Sequence, residues 1–210
     1  MVPIPGSMKA WIVARSGDPK DALDLKTEWP TPAPPKAGNL LIKVSYAVLN
    51  PLDLVLMRWP TFFKRNAVPI VDFAGEVVQV GPSVSSTTPN IRVGMTVCGT
   101  VPVMMMLRGF GTLAEYIVLP AHAVGEKPAG LEDEGAGSLM GVVGQTTSVL
   151  LQVCNFAAGD RVLVHGASGG VGCILTQVLR AKGVQVTAIC SAKNESLVRR
   201  LGAEEVSTLF

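Results

Sequence analysis

The sequence predicts an α/β protein, a β-rich domain followed by the first half of a doubly wound parallel sheet, and three observations point there. Short apolar or alternating segments punctuated by Gly and Pro fill residues 8–126. From about residue 131 the rhythm lengthens into helix-compatible stretches around one continuous apolar run, residues 161–165. That run ends in a glycine turn at residues 166–172, which opens a second helical stretch.

Taken in order, residues 1–7 read as a flexible extension ahead of the first strand. Strands are expected at 8–14, 39–48, 74–80, 96–100 and 113–119, each bounded by turn residues. Between the first two lies Trp29-Pro30-Thr31-Pro32-Ala33-Pro34-Pro35. Its missing amide donors and fixed φ angles rule out a central strand and favour an extended surface loop. The change of rhythm sets a domain boundary near residue 127, giving a first domain of 8–126 and a second of 127–210. In the second, helices are expected at 144–156 and 170–182 and strands at 161–165 and 184–189.

Composition narrows the function classes. The 210 residues are 48% hydrophobic and 16% charged, enough for one substantial core or two small ones. The 18 basic and 16 acidic residues are scattered, so no basic stripe marks a nucleic-acid partner. Cys98, Cys154, Cys173 and Cys190 form no CxxC pair, and the N-terminus has no leader pattern, so a reducing, cytoplasmic setting is expected. No apolar stretch runs for 18 residues without interruption, so no membrane partner is expected.

The glycine turn is the strongest local signal. The run Asp160 to His165 leads into Gly166-Ala167-Ser168-Gly169-Gly170-Val171-Gly172, then into an amphipathic stretch ending at Gly183. Small residues let backbone amides approach a pyrophosphate, and a helix N-terminus offers unpaired donors and a favourable dipole. Gly172 would let the helix pack closely on the strand. The second strand ends in Cys190-Ser191-Ala192-Lys193-Asn194. An NAD site usually has Asp or Glu there for the ribose 2′-hydroxyl, whereas Ser191 and Lys193 offer a hydroxyl and a cation to a 2′-phosphate. NADPH is therefore the expected cofactor, against the alternative that the glycines form only a tight turn.

These segments, with Leu197-Val198-Arg199-Arg200-Leu201-Gly202-Ala203, resemble quinone oxidoreductases, the zinc-free members of the medium-chain dehydrogenase/reductase superfamily. The N-terminal half is similar in the same order: Ala47-Val48-Leu49-Asn50-Pro51-Leu52-Asp53, Asp72-Phe73-Ala74-Gly75-Glu76-Val77-Val78, Val93-Gly94-Met95-Thr96-Val97 and Gly111-Thr112-Leu113-Ala114-Glu115-Tyr116. The resemblance implies a GroES-like β-barrel domain followed by a partial Rossmann domain. It also implies hydride transfer from NADPH to a quinone, enone or enoyl-type double bond, in a detoxifying enzyme or a tailoring enzyme of biosynthesis.

Site residues follow from the same resemblance. It implies that Asn50 and Asp53 face the nicotinamide region, against the plainer reading of an Asn-Pro turn. Thr146 and Thr147 resemble positions that touch nicotinamide. Val55 stands where some relatives carry a Tyr proton donor, which leaves a solvent proton as the fallback. Zinc-dependent relatives need Cys, His and a third ligand, but the matching positions read Val71-Asp72, and residues 140–145 hold no Cys, His, Asp or Glu. No metal is expected, and His122 and His165 read as structural. Met104-Met105-Met106 reads as core contact, with an adaptable apolar pocket as the alternative.

Relatives continue well past residue 210, so the chain reads as truncated. The competing reading is a non-catalytic remnant or partner-binding module. The partners expected are a small-molecule substrate and either a second copy or another subunit.

Overall fold

The computed structural model describes residues 3–58, 66–84 and 90–209. Met1 and Val2, the start of the expected extension, lie outside them. By internal packing the chain forms two units, Met1–Val142 and Val143–Phe210.

In the first unit, β1 (Ser7–Val13) and β2 (Leu23–Pro30) pair antiparallel, with α1 (Pro19–Ala22) between them. The proline-rich segment thus begins inside β2, whose place in a two-stranded sheet tolerates the missing donors. A five-stranded antiparallel sheet follows, in the order β6-β3-β4-β5-β7. Its strands are β3 (Asn39–Val48), β4 (Asp72–Val80), β5 (Thr96–Thr100), β6 (Tyr116–Pro120) and β7 (Val124–Glu126). Besides α1, the described residues of this unit form the helices α2 (Pro51–Arg58), α3 (Val103–Met106) and α4 (Asp133–Met140).

Strand β4 is central and covered on both faces. Phe73 and Val77 enter the main core with Leu40, Ile42, Val97 and Leu119. On the opposite face Ala74 and Cys98 meet Ala136 of α4. Small residues make that contact close: a side chain on Gly137 would sit 3.1 Å from Val48 Cγ2 and 3.2 Å from the Ala74 nitrogen. This packing explains why the division by contacts falls after Val142, whereas the change of sequence rhythm falls near residue 127.

The second unit is a parallel three-stranded sheet in the order β10-β9-β8. It contains most of α5 (Val142–Cys154), then β8 (Arg161–His165), α6 (Gly170–Ala181), β9 (Gln185–Ser191), α7 (Glu195–Leu201) and β10 (Glu205–Leu209). Helix α6 forms because Gly172, Leu175, Thr176 and Leu179 recur at i, i+3, i+4 and i+7 and are all buried. Gly183, at φ 77°, follows its C-terminus. Val164, Val186 and Ala188 complete that core from the strands. The expected GroES-like β domain with a partial parallel Rossmann sheet is therefore the fold found. Helices α1, α2, α3, α4 and α7 and strands β2 and β7 were not anticipated as elements.

Candidate functional site

Two constellations gather chemistry-bearing residues, one in each unit. The first forms where β3 runs into α2. Asn50 and Asp53 are 7% and 2% exposed, and Asp72, at the start of β4, is 1% exposed. The Asn50 backbone N–H donates to Asp53 Oδ2 at 2.7 Å, and the Asp53 N–H donates back to the Asn50 carbonyl at 3.0 Å. That exchange closes the first turn of α2 in the manner of a helix cap. The Asn-Pro sequence is thus a helix entry as well as a candidate site.

Asp72 is the hub of this constellation, a role the sequence reading did not give it. Its Oδ2 accepts from Asn50 Nδ2 at 2.8 Å and from the Val142 N–H at 2.8 Å, and its Oδ1 accepts from Thr100 Oγ1 at 2.6 Å. Its carbonyl accepts from Thr112 Oγ1 at 3.1 Å. One carboxylate therefore links α2, β5 and the first residue of α5. Asp72 opened a motif segment in the sequence, but donors up to 70 positions away are a property of the fold.

Burial pushes the Asp53 carboxyl up, the Asn50 N–H pulls it down, and the nearby Asp72 charge pushes it up again, to about 6. Asp53 thus holds its proton to a higher pH than an ordinary aspartate.

The second constellation is the glycine turn. Gly166 takes φ 74°, and its N–H and that of Ala167 both donate to the Ile189 carbonyl, at 3.0 and 3.1 Å. The Gly169 N–H is used inside the turn, donating to the Gly166 carbonyl at 2.9 Å. Cys173 N–H to the Gly169 carbonyl at 2.8 Å is the first bond of α6. The amides of Gly170, Val171 and Gly172 precede it, so they are the donors an anion would meet. Gly172 lies against the Gly166 carbonyl and Ala167 Cα with no room for a side chain.

Asn194 closes the turn, another role not foreseen. Its Nδ2 donates to Ser168 Oγ at 3.0 Å and to Ser191 Oγ at 3.1 Å, tying the end of β9 to the glycine loop. Lys193 is exposed on the same 3-10 turn, Ala192–Asn194. A groove of about 450 Å³ runs past this region, lined by Leu150, Cys154, Leu163, His165 and the glycines. Thr146 is exposed on α5, while the neighbouring Thr147 is buried with its hydroxyl on the Val143 carbonyl at 2.9 Å. The structure thus brings Ser168, Ser191 and the residues of the turn together in one unit, and Asn50 and Asp53 together in the other.

The remaining candidates are peripheral. His122 and His165 are both exposed. Met106 joins the main core, Met105 packs against it and Met104 is 61% exposed. Among the described residues no three His, Cys, Asp or Glu side chains come together as metal ligands do, and no helix is long and apolar enough to cross a membrane.

Residues 36–129 match the alcohol dehydrogenase GroES-like domain. The chain is 34% identical over 207 residues to a zinc-type alcohol dehydrogenase-like protein of Schizosaccharomyces pombe, covering 94% of this chain and 58% of that protein. It is 32% identical over 213 residues to the trans-enoyl reductase pgmF of Aspergillus terreus, covering 97% of this chain and 59% of the relative. Among solved structures, the quinone oxidoreductase of Coxiella burnetii superposes with a TM-score of 0.83 at 30% identity, covering 96% of this chain and 62% of that one. A mycobacterial protein complexed with NADPH superposes with a TM-score of 0.82 at 32% identity, covering 96% and 59%. The chain thus spans about three fifths of the length of the relatives it matches.

Proposed function

We propose that this chain, similar to quinone oxidoreductases and trans-enoyl reductases, is a member of the medium-chain dehydrogenase/reductase superfamily and serves NADPH-dependent reduction of a quinone, enone or enoyl-type double bond. The observation behind this reading is the glycine turn. Its three leading α6 amides, its contact-filling Gly172 and the Asn194 clamp suit a dinucleotide diphosphate. The names of relatives support it, since one solved structure is a quinone oxidoreductase, another is complexed with NADPH and one relative is a trans-enoyl reductase.

Bound NADPH supplies the hydride. The chain's own part is to hold and orient it. The amides of Gly170, Val171 and Gly172 receive the diphosphate, with Gly166, Ala167, Ser168 and Gly169 shaping the loop. Lys193 and Ser191 receive the 2′-phosphate, Lys193 by charge and Ser191 by its hydroxyl. Asn50, Asp53 and Thr146 serve the nicotinamide end. The chemistry is read as zinc-free because Val71 and residues 140–145 offer no metal ligand.

A second reading, a non-catalytic module that binds a partner, is favoured by the exposed Leu163 on β8, at 63%. Titrating the purified chain with NADPH separates the two. Saturable enhancement of cofactor fluorescence, with loss of 340 nm absorbance only when an enone or quinone is added, is the expected result. A folded protein that leaves the fluorescence of NADPH unchanged would reject the reductase reading.

A further inference from the structure

We propose that Asp72 is the positioning residue of the Asn50 site, fixing which end of the Asn50 amide faces a ligand. The two ends of a primary amide are nearly equal in shape, so an asparagine turns over unless a partner discriminates donor from acceptor. Asp72 discriminates. Its carboxylate oxygen accepts from Asn50 Nδ2 and has nothing to give Oδ1, so a reversed amide would set two acceptors against each other in a buried place.

The carboxylate is itself held from every side. Thr100 Oγ1 occupies Oδ1, while the Val142 N–H shares Oδ2 with Asn50. Gly141 lies so close to that carboxylate that any side chain there would collide with it. The backbone leading to Asp72 is turned at Ile70, a β-branched residue at φ 71°, where an L side chain is strained. Thr112 donates its backbone N–H to the Ile70 carbonyl at 2.9 Å and its hydroxyl to the Asp72 carbonyl, holding that turn.

Asn50 Oδ1 is therefore turned away from Asp72 as a hydrogen-bond acceptor. It selects a ligand donor, such as the carboxamide N–H of a nicotinamide or a ribose hydroxyl, rather than a substrate carbonyl oxygen. This assignment rests on the reading of Asn50 as a cofactor-facing residue, but its first measurement does not. In the ¹⁵N-labelled full chain, the Asn50 side-chain amide protons should exchange with solvent about tenfold more slowly than those of exposed asparagines, and Asp72→Ala, which leaves no acceptor for them, should abolish that protection. In the same variant the Kd for NADPH should rise about tenfold.

Asp72→Asn is the conservative variant, because its carboxamide oxygen can still accept from Asn50 Nδ2 and the Val142 N–H while its NH2 donates to the Thr100 hydroxyl. It should keep NADPH affinity within about threefold of the original, whereas N50D, which sets two acceptors against each other, should not. Unprotected Asn50 amide protons in the unmodified chain would overturn the proposal even if the Asp72 variants fail to fold. A folded D72N that binds no better than D72A would also overturn it. Protection without any NADPH binding would uphold the Asp72–Asn50 clamp while rejecting the cofactor reading.

Discussion

Asp53 couples the site to pH. The residue is 2% exposed, and burial together with the Asp72 charge lifts its carboxyl from 3.8 to about 6 against the pull of the Asn50 N–H. The folded chain therefore binds this proton more tightly than the unfolded chain does. The resulting stability is fully present below about pH 4 and is lost as pH rises through 6. The difference corresponds to about 3 kcal/mol. Urea denaturation should therefore show the chain gaining stability from pH 7 to pH 5, a trend that D53N should flatten. A slope unchanged in D53N would remove Asp53 as its source. The sequence named Asn50 and Asp53 as candidates, but it held no sign of this shift, because burial and the approach of Asp72 arise only when β4 is laid beside β3.

At the scale of elements, the glycine turn distinguishes glycines by what surrounds them. A methyl group on Gly172 would stand 2.7 Å from Ala167 Cα and closer still to the Gly166 carbonyl, both backbone atoms that cannot yield without moving α6 off β8. One on Gly170 would stand 2.9 Å from Val143 Cγ1, the end of a side chain that can rotate. Gly172→Ala should thus lower stability by about 1–3 kcal/mol and weaken NADPH binding, with a smaller stability loss for Gly170→Ala. Thermal denaturation of the two variants checks the order, and equal losses would contradict it. The same elements show what local pattern can reveal. Residues 161–165 form β8 over the expected range because a continuous apolar run between turns admits few alternatives. Helix α4 was missed because Gly135 and Gly137 lower its local propensity, and its packing against Ala74 and Cys98 overrides that. Helix α2 was missed because Asn-Pro also signals a turn.

At the scale of the molecule, the second unit has an edge its own residues do not cover. Among the described residues β8 pairs only with β9, and Leu163 on β8 and Val153 on α5 are 63% and 77% exposed. A strand reading Val162-Leu163-Val164 suits a sheet covered on both faces, as parallel sheets are. An apolar strand with free backbone donors and acceptors invites pairing with another chain. Strand order was legible only through family resemblance, since the β10-β9-β8 sequence depends on contacts that no local period encodes. The physical consequence needs no relative. The purified chain should associate as its concentration rises, and L163K should suppress this by placing a charge on β8, with V153K having a smaller effect because its site is on a helix. Sedimentation velocity over a concentration series tests both. If the unmodified chain stays monomeric throughout, this edge is satisfied in some other way and the argument from β8 fails. If L163K prevents association yet leaves NADPH fluorescence enhancement intact, the exposed strand and the glycine turn act independently, although both belong to the second unit.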